Sequence, residues 1–514
     1  MIPRPVPTSS SPVARVAARL ATGPIARLSY GRALALVTAV GAVLRLAFIA
    51  RQPIGYDEDF TAVVVHQPID RMIDIVSRDS APPLFYLLER CVTALADLAG
   101  LASFGGLGGP VALRLVPSLA GIAAIPLLAA LGRRVGGDAA GIWTAVFTAV
   151  VPTAVMLSGF ARMYGLAATL TVASALLLWR AVEKPGLARW AAYGAAAAAA
   201  VWTDYFSTVA LAGIFVAALW LRPGWRTALV ASGVTAVAVA TIAPWLIVAR
   251  AQFEHTGQGF WVPPLGPIMI GGTLAQLFMG PPLDSSMPYG YALIGLQSLA
   301  VMAGFAALAG GLIVWRRLGL EGHRAAMFCL ISAGGVALLA VVSIWRPVLD
   351  ARYASVMWLP LFAFAGVGLT AMPRRAAGLL IAAVAVPTMA LSVATTHRET
   401  SSLVAQLDAQ VGPRDLAAAS LDDYLILLDE TNPGVQSRLH VLTTVDLPWW
   451  VGTAAYPAGA VIGEVPADVV ANRGRIFWIA DPGMAAPALP PGYRSQSTRC
   501  AIEVCLTIYA LGGG

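Results

Sequence analysis

Long apolar runs, each about the length of a bilayer crossing, alternate along most of this chain with short arginine-bearing breaks. A helical crossing takes about 20 apolar residues. On that basis the pattern predicts spans near 31–50, 113–132, 138–158, 163–181, 188–203, 205–221, 227–248, 291–315, 325–344, 353–371 and 376–394, eleven in all. Asp204 interrupts the pair 188–203 and 205–221. The first run is too long for a cleaved leader and lacks a small-residue cleavage site, so it is expected to remain as a transmembrane helix. Residues 1–30, rich in Ser, Pro and Arg, are expected to form a disordered cytoplasmic N-terminus.

The arginines set an expected orientation. With the N-terminus inside, the cytoplasmic breaks are Arg133-Arg134, Arg180 to Arg189, Arg222 to Arg226, Arg316 to Arg324 and Arg374-Arg375, all short and positive. The opposite side then receives residues 51–112, the Gly159 to Arg162 turn, residues 250–290, and the turn from Trp345 to Arg352. Within 51–112, Ile69 to Arg78 and Pro82 to Arg90 read as amphipathic. Taking the stretch from Pro82 onward as a helix lying in the interface, not crossing it, preserves the charge rule for every later loop. Another interfacial helix is expected within 250–290, anchored by Phe260 and Trp261.

Beyond residue 395 the composition changes. SSLVAQLDAQV reads as a helix; SRLHVLTTV, GRIFWIA and IEVCLTIYAL read as strands. Helices interleaved with strands predict a small α/β domain over residues 396–514, and an odd number of spans places it outside the cytosol. Cys500 and Cys505 can close a disulfide there if the backbone turns, and an oxidising compartment favours it. Cys91 and Cys329 lie in apolar context and read as small core residues. The fold class is therefore a mainly helical polytopic membrane protein, residues 31–395, with an extracytoplasmic α/β tail.

Composition agrees: 58% of the 514 residues are hydrophobic and only 12% charged, with a net charge of +7. The arginines punctuate apolar runs and form no patch, which excludes a nucleic-acid surface. No solenoid repeat is present.

Candidate chemistry lies on the outer side. Asp57, Glu58 and Asp59 follow the first span, and three carboxylates beside a bilayer are costly unless used. One can act as a general base toward a hydroxyl, with a second holding the acceptor or raising the first one's pKa. Arg162, in SGFARMYG, and Arg352, in RPVLDARYASVMW, stand at outer ends of spans beside tyrosines, which suits a phosphate at headgroup depth. Asp204, in VWTDYFS, marks either a site or a turn. Taken singly, the acids also fit a solvated loop and the arginines fit snorkelling to lipid phosphate.

In order along the chain come YDEDF, RDSAPPLFYLL, RLVPSLAGIAAIPLLAALGRRVGG, PTAVMLSGFARMYGL, VWTDYFS, GFWVPP and DARYASVMWLPL. With these the chain resembles the GT-C fold membrane glycosyltransferases, and among them the GT39-like bacterial relatives of dolichyl-phosphate-mannose protein mannosyltransferases. The resemblance spans residues 31–395. It implies transfer of a sugar, mannose or arabinose, from a polyprenyl-phosphate donor to a lipid, glycan or protein acceptor of the cell envelope at the extracytoplasmic face, with inversion. It assigns the base to Asp57 with Glu58 as its neighbour. Arg162 with Tyr164 and Arg352 with Tyr353 go to the donor phosphate. It maps the acid before the Pro-Pro pair to Asp79, and Asp59, Asp79, Asp204 and Trp261 are expected to bind acceptor or sugar. Two positions depart from the pattern: Ala81 and Asp204 stand where many relatives have His. Three clustered acids could hold a divalent ion, but the resembled enzymes generally use none, so no metal or cofactor is expected. The competing readings are a flippase or transporter of a lipid-linked glycan, which would favour broken helices, midplane charges and a repeated half, and a non-catalytic scaffold for the C-terminal domain.

Overall fold

A computed structural model of the protein describes residues 29–49, 55–98, 109–255, 261–280, 290–394, 400–487, 489–500 and 504–512. The expectation of disorder at the N-terminus falls on residues outside these, except for the last two. Where the apolar runs stand, the described chain is helical. A backbone in lipid has no water to bond to, so its N–H and C=O groups must pair within the segment.

Among the described residues, eight stretches are long and apolar enough to cross a bilayer: Tyr30–Ala47, Leu115–Val150, Tyr164–Glu183, Trp225–Val248, Gly290–Trp315, Leu320–Val342, Ala351–Ala371 and Arg374–Leu391. The apolar pattern gave eleven. Two of the other expected spans fall on the helices Leu187–Thr203 and Ser207–Trp220, which have 17 and 14 residues. The Leu115–Val150 stretch overlaps two expected spans because it folds back on itself at Gly136-Gly137. Gly137 has φ 78°, a left-handed conformation that a Cβ would oppose. Ile125 and Ala129 from one arm then share a cluster with Ala145 and Ala149 from the other.

Arg45, buried in the helix Tyr30–Phe48, closes the far end of that hairpin. Pro152 has no N–H to offer the Thr148 carbonyl. Arg45 donates to it instead through Nη2 at 3.0 Å, and through Nη1 to the Ala149 carbonyl at 3.0 Å. Its Nε donates to Ser158 Oγ at 2.9 Å. A cation at a helix C-terminus also meets the negative end of the helix dipole.

Small residues bring the central helices into backbone contact, the packing mode favoured where lipid removes the hydrophobic drive between helices. A Cβ built at Gly368 would lie 1.9 Å from the Ala307 carbonyl oxygen, and one at Gly311 would lie 2.1 Å from the Phe364 carbonyl oxygen. The expected interfacial segments are present as the helices Ile69–Arg78, Leu84–Leu98 and Pro267–Met279, with a short turn of helix, Arg250–His255, before the last.

The C-terminal part is a six-stranded sheet with helices: β1 Leu416–Ala419, β2 Leu439–Leu442, β3 Val461–Ile462, β4 Ile476–Ala480, β5 Tyr493–Cys500 and β6 Cys505–Leu511, in the order β3-β2-β1-β4-β6-β5. The first four run parallel, and β6 and β5 add an antiparallel hairpin at one edge. Three strands fall where the apolar runs predicted them. β1, β3 and β5 do not read as strands. β1 is Leu-Ala-Ala-Ala, β3 is two residues long, and seven of the eight residues of β5 are exposed on the edge. Cys500 and Cys505 face each other across the hairpin and are joined by a disulfide.

This part packs directly on the membrane part. The helix Leu421–Glu430 lies against the helix Tyr56–Val65. The turn Thr453–Ala455 touches both Tyr56–Val65 and Ile69–Arg78. Tyr424 and Tyr456 lie with ring centroids 4.8 Å apart, inside a core cluster continuous with that of the helices.

Substituting Gly368 by Val should overpack the Ala307 crossing and lower stability by about 2 kcal/mol. Thermal unfolding of the purified protein in detergent checks this, and an unchanged midpoint would show that the crossing has slack.

Candidate active site

The helix Tyr56–Val65 carries Asp57, Glu58 and Asp59 in its first turn, where the positive end of the helix dipole favours carboxylates. Successive side chains on a helix diverge by about 100°, so the three acids cannot share one target. Asp57 faces a cavity, and its Oδ2 accepts a hydrogen bond from Arg352 Nη1 at 2.8 Å. Glu58 turns into the bundle. Its Oε1 accepts from Arg114 Nε at 2.8 Å and from the Ala161 N–H at 2.7 Å. Its Oε2 accepts from Arg114 Nη2 at 2.5 Å and from the Gly55 N–H at 3.2 Å. Asp59 is 2% exposed and, like Glu58, is absent from the cavity wall. Of the three acids, the structure brings Asp57 to the cavity wall and leaves Glu58, expected beside it as the neighbour of the base, and Asp59, expected at acceptor or sugar, off that wall.

The cavity, of about 450 Å³ including its mouth, is lined by Asp57, Phe60, Asp79, Ser80, Arg162, Tyr164, Trp261, Arg352, Tyr353 and Gly452. Each side chain is held by its own element. Arg352 opens the helix Ala351–Trp358. Asp350, the N-cap, accepts from the Arg352 N–H at 2.8 Å and from its Nε at 3.2 Å. The Arg352 guanidinium also lies 4.2 Å from the Trp261 ring centroid, a cation–π contact that keeps its plane fixed. Arg162 sits in the turn between the helices Pro152–Ser158 and Tyr164–Glu183. Its Nη1 donates to the Asp57 carbonyl at 3.4 Å, and its guanidinium lies 5.6 Å from the Phe60 ring centroid. The buried Nε of Arg162 finds no protein acceptor.

Tyr353 is wedged among rings: Phe206 stacks on it at 4.4 Å, with Tyr164 at 6.1 Å and Trp261 at 6.2 Å. Asp79 ends the helix Ile69–Arg78, and its Oδ2 accepts from Ser80 Oγ at 3.3 Å. Burial pushes the Asp79 carboxyl above the usual range for an aspartate, with Arg162 pulling the other way.

Asp204 stands apart. It ends the helix Leu187–Thr203, and its Oδ1 accepts from the Phe206 N–H at 2.7 Å, which makes it a turn-forming aspartate. It does not line the cavity. Its part in the site runs through Phe206, the ring stacked on Tyr353. Among the described residues no three His, Cys, Asp or Glu side chains meet as a metal site.

The structure adds residues that sequence reading passed over. Arg114 looks like one more charge at a helix end, yet it is 1% exposed and anchors Glu58. Asp350 carried a signal, an aspartate immediately before a helical run. Gly452, from the C-terminal sheet domain, carried none.

Residues 81–248 match the family model described as dolichyl-phosphate-mannose-protein mannosyltransferase. No curated protein matches the chain. Among solved structures, apo ArnT from Cupriavidus metallidurans superposes with a TM-score of 0.58 at 16% identity, covering 92% of this chain and 97% of that one. The same protein bound to undecaprenyl phosphate gives 0.54 at 14% identity, with the same coverage. The arabinofuranosyltransferase AftD from Mycobacteria gives 0.51 at 16% identity, covering 95% of this chain and 40% of that one.

Replacing Arg114 by Met should strand the Glu58 carboxylate in the bundle and destabilise the protein by about 3 kcal/mol. The melting temperature in detergent measures this, and a melting curve superimposable on the wild type would contradict a structural role for the pair. The architecture of the chain is thus similar to that of ArnT over nearly the whole of both chains, and its segment 81–248 matches the mannosyltransferase family model.

Proposed function

We propose that the protein transfers a sugar from a polyprenyl-phosphate donor to a hydroxyl of a cell-envelope acceptor, with Asp57 as general base. The observation that carries this reading is the convergence of Asp57, Asp79, Arg162 and Arg352, drawn from distant parts of the chain, on one cavity. Undecaprenyl phosphate in the ArnT structure is a lipid phosphate of the kind such a donor would leave behind.

The donor is a phosphodiester carrying one negative charge. As the bond between the anomeric carbon and the phosphate oxygen breaks, the polyprenyl phosphate gains a second charge. Guanidinium groups fixed beforehand gain the most at that moment. Arg352 and Arg162, with Tyr164 and Tyr353 beside them, are the groups for this task. The acceptor oxygen attacks the anomeric carbon from the face opposite the phosphate, and its proton passes to an Asp57 carboxylate oxygen. One displacement inverts the anomeric centre. A metal has no step in this scheme.

The Arg352–Asp57 pair adds a feature of its own. Both side chains are about a third exposed, so their attraction is screened and contributes little to stability. A donor phosphate drawing Arg352 toward itself releases the Asp57 oxygen that accepts from Arg352 and leaves it free to face the acceptor. Asp79 places a carboxyl group in the cavity wall, where a sugar hydroxyl can hydrogen-bond to it. Trp261, packed on Arg352, offers an aromatic face to sugar or lipid. The arginine-rich breaks on the far side of the bundle and the Cys500–Cys505 disulfide favour a cavity that opens away from the cytosol.

Asp57→Asn should lower transfer by about a thousandfold, within the range of a general base, with the melting temperature close to wild type. Membranes supplied with labelled polyprenyl-phosphate mannose or arabinose give the measurement, and undiminished turnover would reject Asp57 as the base. Arg352→Ala should reduce kcat/KM for donor by about a hundredfold or more, as removal of one stabiliser of developing charge does. An unchanged donor constant would move the phosphate elsewhere.

A further inference from the structure

The cavity has a wall that belongs to neither the membrane helices nor their loops. Gly452 lies in the connection between β2 and β3, between the turns Trp449–Val451 and Thr453–Ala455, and it lines the cavity together with Asp57. The segments that follow the carboxyl ends of β1 and β2, the helix Leu421–Glu430 and this connection, are the ones that touch the membrane part. In open α/β sheets that edge is where ligands are met. Gly452 has φ 70°, and a Cβ built on it would lie 2.8 Å from Phe60 Cδ2. Phe60 is one turn from Asp57 on the same helix and lines the same cavity. The contact between the two parts of the protein is thus closed down to a bare backbone at the point where it borders the chemistry.

We propose that the C-terminal domain forms the acceptor wall of the active site, and that the missing side chain at Gly452 sets the width of the passage by which an acceptor hydroxyl reaches Asp57. This rests on the glycosyl-transfer reading above. The two arginines come from the membrane part and suit the lipid phosphate. Gly452, which the 443–460 connection contributes to the cavity lining, is assigned to the group that approaches from outside the bilayer. A second, independent support is the docking itself. The helix Leu421–Glu430 packs along the helix that carries Asp57, and Tyr424 and Tyr456 tie that helix to the end of the same connection. The proposed acceptor wall and the helix that carries Asp57 are therefore packed against each other. Gly452 is a specificity-determining residue in this scheme, since it touches no reacting atom.

The test uses the full-length protein in detergent, with Cys91→Ser and Cys329→Ala to remove the free thiols and Ser80→Cys as a reporter inside the cavity. A small water-soluble methanethiosulfonate labels the reporter. Adding Gly452→Ala should slow labelling about tenfold, a barrier of about 1.4 kcal/mol. Phe60→Leu in that background should restore the rate by giving the new methyl room. Should Gly452→Ala fail to fold, Phe60→Ala alone should speed labelling by the same reasoning. An unchanged rate in Gly452→Ala, or in Phe60→Ala if that is the variant used, overturns the proposal whatever the enzyme transfers.

The transfer arm compares octyl mannoside with methanol as acceptors from labelled polyprenyl-phosphate mannose or arabinose. Gly452→Ala should lose about tenfold in kcat/KM for octyl mannoside and keep its rate with methanol. Equal losses for both acceptors would make Gly452 a merely structural residue. If the wild type transfers to neither acceptor, the glycosyl-transfer reading and the acceptor role fall together. In that case the labelling arm alone still reports whether Gly452 narrows the cavity.

Discussion

The Glu58–Arg114 pair is the constraint on which the site depends. An ionised carboxylate and a guanidinium buried together offset each other's desolvation only when their hydrogen bonds are nearly complete. Here Glu58 has four donors, from Arg114, Ala161 and Gly55. Those bonds tie the first turn of the helix Tyr56–Val65 to the start of the Leu115–Val150 hairpin and to the turn that carries Arg162. Once Glu58 is fixed, helical geometry leaves Asp57 one direction to face, and that direction is the cavity. The carboxylate that faces the cavity is aimed by the residue next to it.

A similar division of labour runs through the other elements. Asp350 caps a helix and holds Arg352. Asp204 forms a turn and, through Phe206, seats Tyr353. Arg45 closes the hairpin end left open by Pro152 and lets Ser158 and the Arg162 turn follow in register. None of these charges faces solvent in the way a surface residue would. Each satisfies backbone groups that a membrane environment would otherwise leave unpaired. What remains toward the cavity is a small set: two guanidinium groups, two carboxylates and a ring of aromatic side chains, closed on one side by a separate sheet domain.

That economy explains how much of the site was legible in the chain. Asp57, Arg162 and Arg352, with Tyr164 and Tyr353 beside the arginines, were singled out at the ends of apolar runs, Trp261 as an interfacial anchor and Asp79 through the resemblance to a known family; the fold brings all of them to one cavity. Position in a lipid-spanning chain is strongly informative, because polar residues there are expensive and need a reason. Glu58 and Asp204 were singled out on the same ground and answer to a different reason, the internal pairing of a helix start and a turn. Sequence position alone does not separate a carboxylate that serves a ligand from one that serves the backbone.

By itself the sequence determined the class of protein, because a run of about 20 apolar residues has few stable alternatives to a membrane helix. It also determined the α/β character of the tail through its apolar strands and placed two cysteines within reach of each other. Tertiary structure decided the rest. The fold-back at Gly136-Gly137 and the short helices near Asp204 set how the apolar runs become helices. The burial of Arg114, which reads as an ordinary flanking charge, is visible only once Glu58 lies beside it. The placing of Gly452 against Phe60 could not be read in advance either. A contact between residues nearly 400 positions apart has no local pattern, and it exists only because the sheet domain packs on the membrane helices.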